Sequence, residues 1–143
     1  MRSPITCHVL NTSTGRPAQG VVIKLQQYEE TEGNAFLFNP IAEGSDQTLQ
    51  IICYSEWMFL YSKTDSDGRC TDLLPPITSI ETENLLKPGL YKMIFRTKEY
   101  FDSQSVKTFY PWVEITFELS DLTEHYHVPL LISPHGFTTY RGS

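Results

Sequence analysis

Alternation of apolar and polar residues with a period of two constrains the fold of this chain more than any other feature. It is clearest at residues 21–25, 91–95 and 113–119, where every second residue is apolar. Successive side chains of a β-strand point to opposite faces, so this spacing predicts strands with one buried face. Further strands are predicted at residues 5–11, 51–62, 68–74, 125–133 and 136–141.

The segments between these strands complete the predicted architecture. Turn residues cluster at 14–17, 65–68 and 133–136, and a short helix is predicted around 98–104 with Thr97 as its N-cap. Residues 29–50 lack sustained periodicity, which favours a long surface loop or insertion. The 143 residues are therefore expected to form one all-β domain, a sandwich or a barrel.

Composition limits the classes of partner and compartment. A net charge of −6 without a Lys/Arg cluster disfavours binding to nucleic acid or to an anionic membrane. Three cysteines without a CxxC pair disfavour a disulfide framework and a zinc ribbon, and favour a reducing compartment. With no signal-peptide pattern, no membrane-length apolar run and no terminal SKL, the expected location is cytoplasmic, and a peroxisomal one stays open.

Few residues carry obvious chemistry. His8 lies in one predicted strand, and His125 and His127 lie in another, where alternation puts them on the non-core face. Any one such histidine, taken alone, is more often an exposed side chain or a buried one with its hydrogen bonds made than a functional residue. The His-x-His spacing also suggests zinc, although no Cys, Asp or Glu at ligand spacing completes a site. Composition alone leaves Arg69 as a solvated turn residue and Ser143 as part of a frayed tail without a G-x-S-x-G elbow.

Five ordered motifs carry a specific resemblance. They are ITCHVLN at 5–11, GRPA at 15–18, TDSDGR at 64–69, HYHVPLLISP at 125–134 and YRGS at 140–143. Together they resemble the transthyretin-related 5-hydroxyisourate hydrolases over the whole chain except about residues 29–50. Cys7, Asn11 and His135 depart from the usual Thr, Asp and aromatic residue of that family.

The resemblance implies a fold and a site. The fold is a transthyretin-like sandwich of two four-stranded antiparallel sheets with one short helix, assembled as a homotetramer with sites in the channel between dimers. The catalytic residues carried over from the family are His8, Arg69, His127 and Ser143. Substrate-binding residues that complete the pocket wall are Tyr140, Arg141 and Gly142, and His125 is expected to be a neighbour.

The implied activity is hydrolysis in urate degradation, a part of purine catabolism. Histidine-assisted attack of water would open the lactam ring of 5-hydroxyisourate to 2-oxo-4-hydroxy-4-carboxy-5-ureidoimidazoline, with no metal or organic cofactor. Either His8 or His127 serves as the general base. Two alternatives stay open: a non-enzymatic carrier of the transthyretin type, which would need neither the histidines nor the tail, and a zinc-dependent hydrolase.

Overall fold

The computed structural model describes residues 3–30, 36–43, 62–74 and 86–143. The elements in chain order are β1 (Ile5–Asn11), β2 (Arg16–Pro17), β3 (Val22–Glu30), β4 (Phe36–Glu43), β5 (Ser62–Lys63), β6 (Arg69–Cys70), β7 (Gly89–Phe95), α1 (Thr97–Asp102), β8 (Val113–Leu119), β9 (Tyr126–Ser133) and β10 (Gly136–Thr139). No helix in these described ranges is long and apolar enough to cross a membrane.

The first sheet has the order β10-β9-β1, and β1 is flanked on its other side by β2 and β6. β2 pairs with β1 at Leu10 and Asn11, and β6 pairs with the same edge of β1 at Cys7 and His8. β2 and β6 therefore share one place in the strand order, and four strands lie side by side. β1 and β9 run parallel, in register from Ile5↔Tyr126. The expectation of a purely antiparallel sheet is wrong here, because two strands far apart in the chain are not limited to hairpin geometry.

The second sheet has the order β4-β3-β7-β8 and is antiparallel throughout. β5 pairs with the start of β3 and β4 with the rest of it, so this sheet is also four positions wide. The predicted all-β sandwich with one short helix is therefore confirmed for the described residues. β8 and β10 lie at the edges of the two sheets.

The core lies between the sheets and is built from the alternating residues that the sequence pattern singled out. Its fully buried side chains include Ile5, Cys7, Val9, Ile23, Leu25, Tyr91, Met93, Phe95, Leu130 and Ile132. On β1 the residues between them, Thr6 and His8, face away from this core, as the period of two requires. The sandwich thus fixes which face of the first sheet is available for chemistry.

The predicted capping role of Thr97 is wrong. Thr97 is the first residue of α1, Arg96 occupies the N-cap position, and no side chain caps the helix. The reason is packing: Thr97 is buried, and its Oγ1 has no hydrogen-bond partner among the described residues. The helix ends at Asp102, two residues before the predicted end.

The predicted surface loop at 29–50 contains the end of β3 and the strand β4, so the loop prediction is wrong over residues 29–30 and 36–43. Among the described strands β4 lies at the edge of its sheet, and the register shifts between Leu25 and Gln26 of β3, opposite Ala42 and Pro40. Proline cannot donate a hydrogen bond to the neighbouring strand, but it is tolerated in an edge strand or at a β-bulge. Because proline usually indicates a loop, the strand was not recognised from the sequence. That the segment is an insertion stays a prediction.

Two other strand predictions differ in extent, and a third is largely untested. Within 68–74 only β6 is a strand, because the chain leaves β1 after two paired residues and buries Leu73 and Leu74. Residues 51–61 of the predicted strand 51–62 lie outside the described residues. The last strand ends at Thr139 rather than at residue 141.

Candidate active site

His8 and Arg69 form the first row of the candidate site. They are Cα partners in the antiparallel pair of β1 and β6, so their side chains project from the same face of the sheet. His8 is half-buried and Arg69 is exposed. Among the described residues, no carboxylate forms an ion pair with the Arg69 guanidinium. The row therefore presents an imidazole beside an available positive charge.

The geometry of the turn before Arg69 accounts for the residues Asp65, Asp67 and Gly68 in the sequence. Asp65 Oδ1 accepts the backbone N–H groups of Asp67 and Arg69, both at 2.9 Å, and the Asp65 carbonyl accepts the N–H of Gly68 at 2.9 Å. Gly68 has φ +73°, and a Cβ there would collide with the Val9 carbonyl oxygen. These residues shape the turn and dock it on β1, which leaves the Arg69 side chain outside that scaffold.

Thr6 and His127 form the adjacent row on the same face. They are paired across the parallel strands β1 and β9. Thr6 Oγ1 lies 2.8 Å from Nδ1 of His127 and 3.0 Å from Nε2 of His125, so one buried hydroxyl bridges two imidazoles. The two rings are nearly parallel, with 18° between their planes and 6.4 Å between their centroids. His125 is exposed and His127 is half-buried.

The surroundings of His127 change its proton affinity. Burial lowers its pKa from the usual 6.5, and the positive charges of Arg69, His125 and His8 lower it further. The imidazole is consequently neutral at pH 7, the form in which a ring nitrogen can accept a proton. These electrostatic effects also indicate that the two rows share one site.

The chain end lies against His127. β10 returns antiparallel to β9, and Thr139 Oγ1 donates to the Pro129 carbonyl at 2.9 Å. Gly142 then donates its N–H to the His127 carbonyl at 3.0 Å in an isolated bridge. The predicted return of the tail toward His127 is thereby confirmed, and Ser143 follows directly as an exposed residue.

Two tail residues, Arg141 and Tyr140, lie in different surroundings. The Arg141 guanidinium donates to Glu124 Oε2 at 2.6 Å and lies 5.4 Å from the centroid of the Tyr126 ring. Tyr140 is 59% exposed. The arginine therefore ties the tail to the start of β9, while the tyrosine is left with a large uncovered surface.

Comparison with known proteins decides the family. A model of the HIUase/Transthyretin family matches residues 5–142. The chain belongs to the HIUase/Transthyretin family. A curated mouse (Mus musculus) protein named 5-hydroxyisourate hydrolase is 39% identical over 142 residues, covering 99% of this chain and 96% of the mouse protein.

Two solved structures of the HIUase/Transthyretin type have the same architecture. The 5-hydroxyisourate hydrolase of Klebsiella pneumoniae superposes with a TM-score of 0.65 at 26% identity, covering 97% of each chain. Sea bream transthyretin, solved in complex with thyroxine, superposes with a TM-score of 0.69 and covers 98% of this chain and 95% of its own. At 23% identity, the transthyretin match shows a shared fold alone.

Thr6 is a site residue that sequence reasoning missed. The alternation within β1 places Thr6 on the same face as His8, but nothing local in the sequence shows that Thr6 pairs with His127 of β9. No group of three His, Cys, Asp or Glu side chains within the described ranges is arranged to hold a metal ion. An open depression elsewhere, lined by Thr14, Arg16, Pro17, Gln19, Tyr100 and Gln104, includes none of the predicted site residues.

Proposed function

We propose that this chain hydrolyses 5-hydroxyisourate, opening its lactam ring to 2-oxo-4-hydroxy-4-carboxy-5-ureidoimidazoline in the degradation of urate. One observation carries the proposal: the pairs His8–Arg69 and Thr6–His127 form adjacent rows on one sheet face. Family membership over residues 5–142 supports the same conclusion. A carrier has no need for a neutral imidazole beside an unpaired guanidinium, whereas a hydrolase uses both.

The proposed roles follow from the charge and position of each group. His127 removes a proton from water, because its lowered pKa keeps the ring neutral at pH 7. The resulting hydroxide adds to the ring carbonyl carbon, and the Arg69 guanidinium stabilises the developing oxyanion through its planar fork of donors. The C–N bond then breaks, and the proton is delivered to the leaving nitrogen. His8, the partner of Arg69, serves as substrate anchor or proton donor.

The tail would form one wall of the pocket. Gly142 lies directly on His127, which brings Ser143 beside the proposed base, and Tyr140 offers an exposed aromatic surface. In this role Ser143 orients the water or the substrate through its hydroxyl, while Tyr140, Arg141 and Gly142 line the pocket. The Arg141–Glu124 contact holds the backbone of this wall in place.

We further propose a homotetramer, with the small-molecule substrate as its only other partner, and a cytoplasmic location. The edge strands β8 and β10 have no neighbour on their outer sides within the described residues. Trp112, Tyr110 and Phe137 lie beside or on these edges and are 50%, 37% and 41% exposed, which suits contact with further copies. Light scattering would give the mass of a tetramer, and a stable, fully active monomer would contradict this proposal.

The direct test is the decay of fresh 5-hydroxyisourate, generated from urate in the cuvette, with and without the protein. We expect clear acceleration over the spontaneous reaction. His127→Ala should lower kcat by about 10²–10⁴-fold, the usual contribution of a general base. His135→Ala is the matched control, since His135 is exposed in the turn after β9 and should leave the rate unchanged. No acceleration by folded protein would refute the proposed activity.

A chelator separates this mechanism from that of a zinc enzyme. The proposed steps use only side chains, so incubation with EDTA should leave the rate unchanged. Loss of activity on chelation, followed by recovery with added zinc, would favour a zinc-dependent hydrolase instead.

A further inference from the structure

The Thr6 hydroxyl has a single proton and two imidazole neighbours. Nδ1 of His127 is 2.8 Å from Oγ1, and Nε2 of His125 is 3.0 Å from it. Thr6 is 3% exposed and forms part of the strand β1, so its side chain is held between the two rings rather than turned to solvent. A buried group of this kind is costly unless each contact is satisfied as a donor or an acceptor.

Hydrogen-bond chemistry limits how this bridge can be arranged. A hydroxyl donates one hydrogen and accepts others, while a neutral imidazole donates from one nitrogen and accepts at the other. If Thr6 donates to Nδ1 of His127, then the Nε2 of that ring carries its proton and can only donate. If Nδ1 of His127 donates to Thr6 instead, Nε2 keeps a lone pair and can accept a proton.

The two rings differ in exposure, and therefore in how freely each can change its tautomer. His125 is exposed, so water can satisfy its free nitrogen in either tautomer. His127 is half-buried, with Gly142 packed against the Cδ2 edge of its ring, so it has fewer alternative partners. This difference in exposure favours the arrangement in which Thr6 donates to His125 and accepts from His127.

We propose that Thr6 is a positioning residue that selects the tautomer of His127. The Nδ1–H of His127 donates to Thr6 Oγ1, Thr6 donates to Nε2 of His125, and Nε2 of His127 is left as the proton acceptor. The consequence for turnover rests on the proposed hydrolase function. The tautomer itself is a property of the folded protein and can be measured without substrate.

Nitrogen NMR on ¹⁵N-histidine-labelled protein, above the pKa of histidine, reads the tautomer directly. Wild-type protein should show a protonated Nδ1 and a bare Nε2 for His127, with the signal assigned by its absence in His127→Gln. Thr6→Ser keeps the hydroxyl and should keep this tautomer. Thr6→Val keeps the shape but removes the hydroxyl, and should shift the ring toward Nε2–H, the form that free histidine favours in water. Nε2–H in the wild type overturns the proposal even if Thr6→Val fails to fold.

Kinetics supply the second measurement. Thr6→Val should lower kcat about 100-fold with a smaller change in KM, because the base is present but wrongly protonated. Thr6→Ser should recover most of that loss, which a purely packing role for the threonine methyl would not explain. A Thr6→Val enzyme with normal kcat, or with an unchanged His127 tautomer, overturns the assignment. A wild type with the expected tautomer but no turnover would instead refute the hydrolase function alone.

Discussion

Gly142 lies so close to His127 that no side chain fits between them. Its N–H donates to the His127 carbonyl at 3.0 Å, and a Cβ built on it would lie 2.5 Å from Cδ2 of the His127 ring and 3.1 Å from Cγ of Pro129. The backbone of the tail and the imidazole therefore share one tightly packed contact. The position of the ring depends on a residue that has no functional group of its own.

The first prediction follows from this contact. Gly142→Ala must displace either the tail or the imidazole, and misplacing a catalytic group by about 1 Å costs roughly 100-fold in rate. We expect a loss of that order in kcat/KM with a normal melting curve. Gly136→Ala is the matched control, because a Cβ there meets only Ser133 Oγ at 3.6 Å, an ordinary contact. Equal kcat/KM in both variants would show that the close packing of Gly142 on His127 is not needed for activity.

The buried faces of the strands and the motifs at the site could be predicted from the sequence, since both depend on residue type and spacing. The strand β4 could not, because Pro40 and neighbouring loop-type residues hide an edge strand whose irregular register accommodates them. The Thr97 cap failed for a related reason: burial in the core outweighed local helix-cap preference. The role of Thr6 depends on pairing with a strand about 120 residues later, which no local pattern records.

The second prediction concerns the ionisation of His127. Its lowered pKa means that the neutral base persists below pH 6.5, so kcat/KM should fall only at lower pH, as the ring takes up a proton. Because burial is the largest cause and Arg69 the next, Arg69→Gln should raise the pKa of His127 part of the way toward 6.5. Histidine NMR titration gives both values. Lys107→Gln, which removes an exposed charge elsewhere, should leave them unchanged, and a wild-type pKa above 6.5 would contradict the prediction.

The third prediction concerns the cysteines beside the two site residues. Cys7 and Cys70 are Cα partners on the buried face, one step from His8 and Arg69, and both are free thiols. The hydrogen bond with Cys70 raises the pKa of Cys7, and burial raises it further, so the reactive thiolate is scarce. In a Cys53→Ser background, a thiol reagent should label native protein slowly and unfolded protein at once. Immediate labelling of both thiols in the native state would show that this core opens readily.

The last prediction tests the tail as a whole. Deleting residues 140–143 removes the exposed Arg141–Glu124 ion pair, the contact of Arg141 with the Tyr126 ring and the backbone hydrogen bond to His127, but no core side chain. Exposed ion pairs contribute about 1 kcal/mol or less, so melting by circular dichroism should change little. Turnover should be lost, because the deletion removes both the packing against His127 and the proposed group on Ser143.

The single variant Ser143→Ala separates these two contributions. It keeps Gly142 in place, so the ring position is preserved and only the hydroxyl is missing; its loss of activity should be smaller than that of the deletion. Thr138→Ala, on the exposed surface of β10, is a suitable control and should behave as wild type in both measurements. A truncated protein that melts normally and keeps nearly full activity would show that the tail is not needed for turnover, and the site would then be built from His8, Arg69, His127 and Thr6 without it.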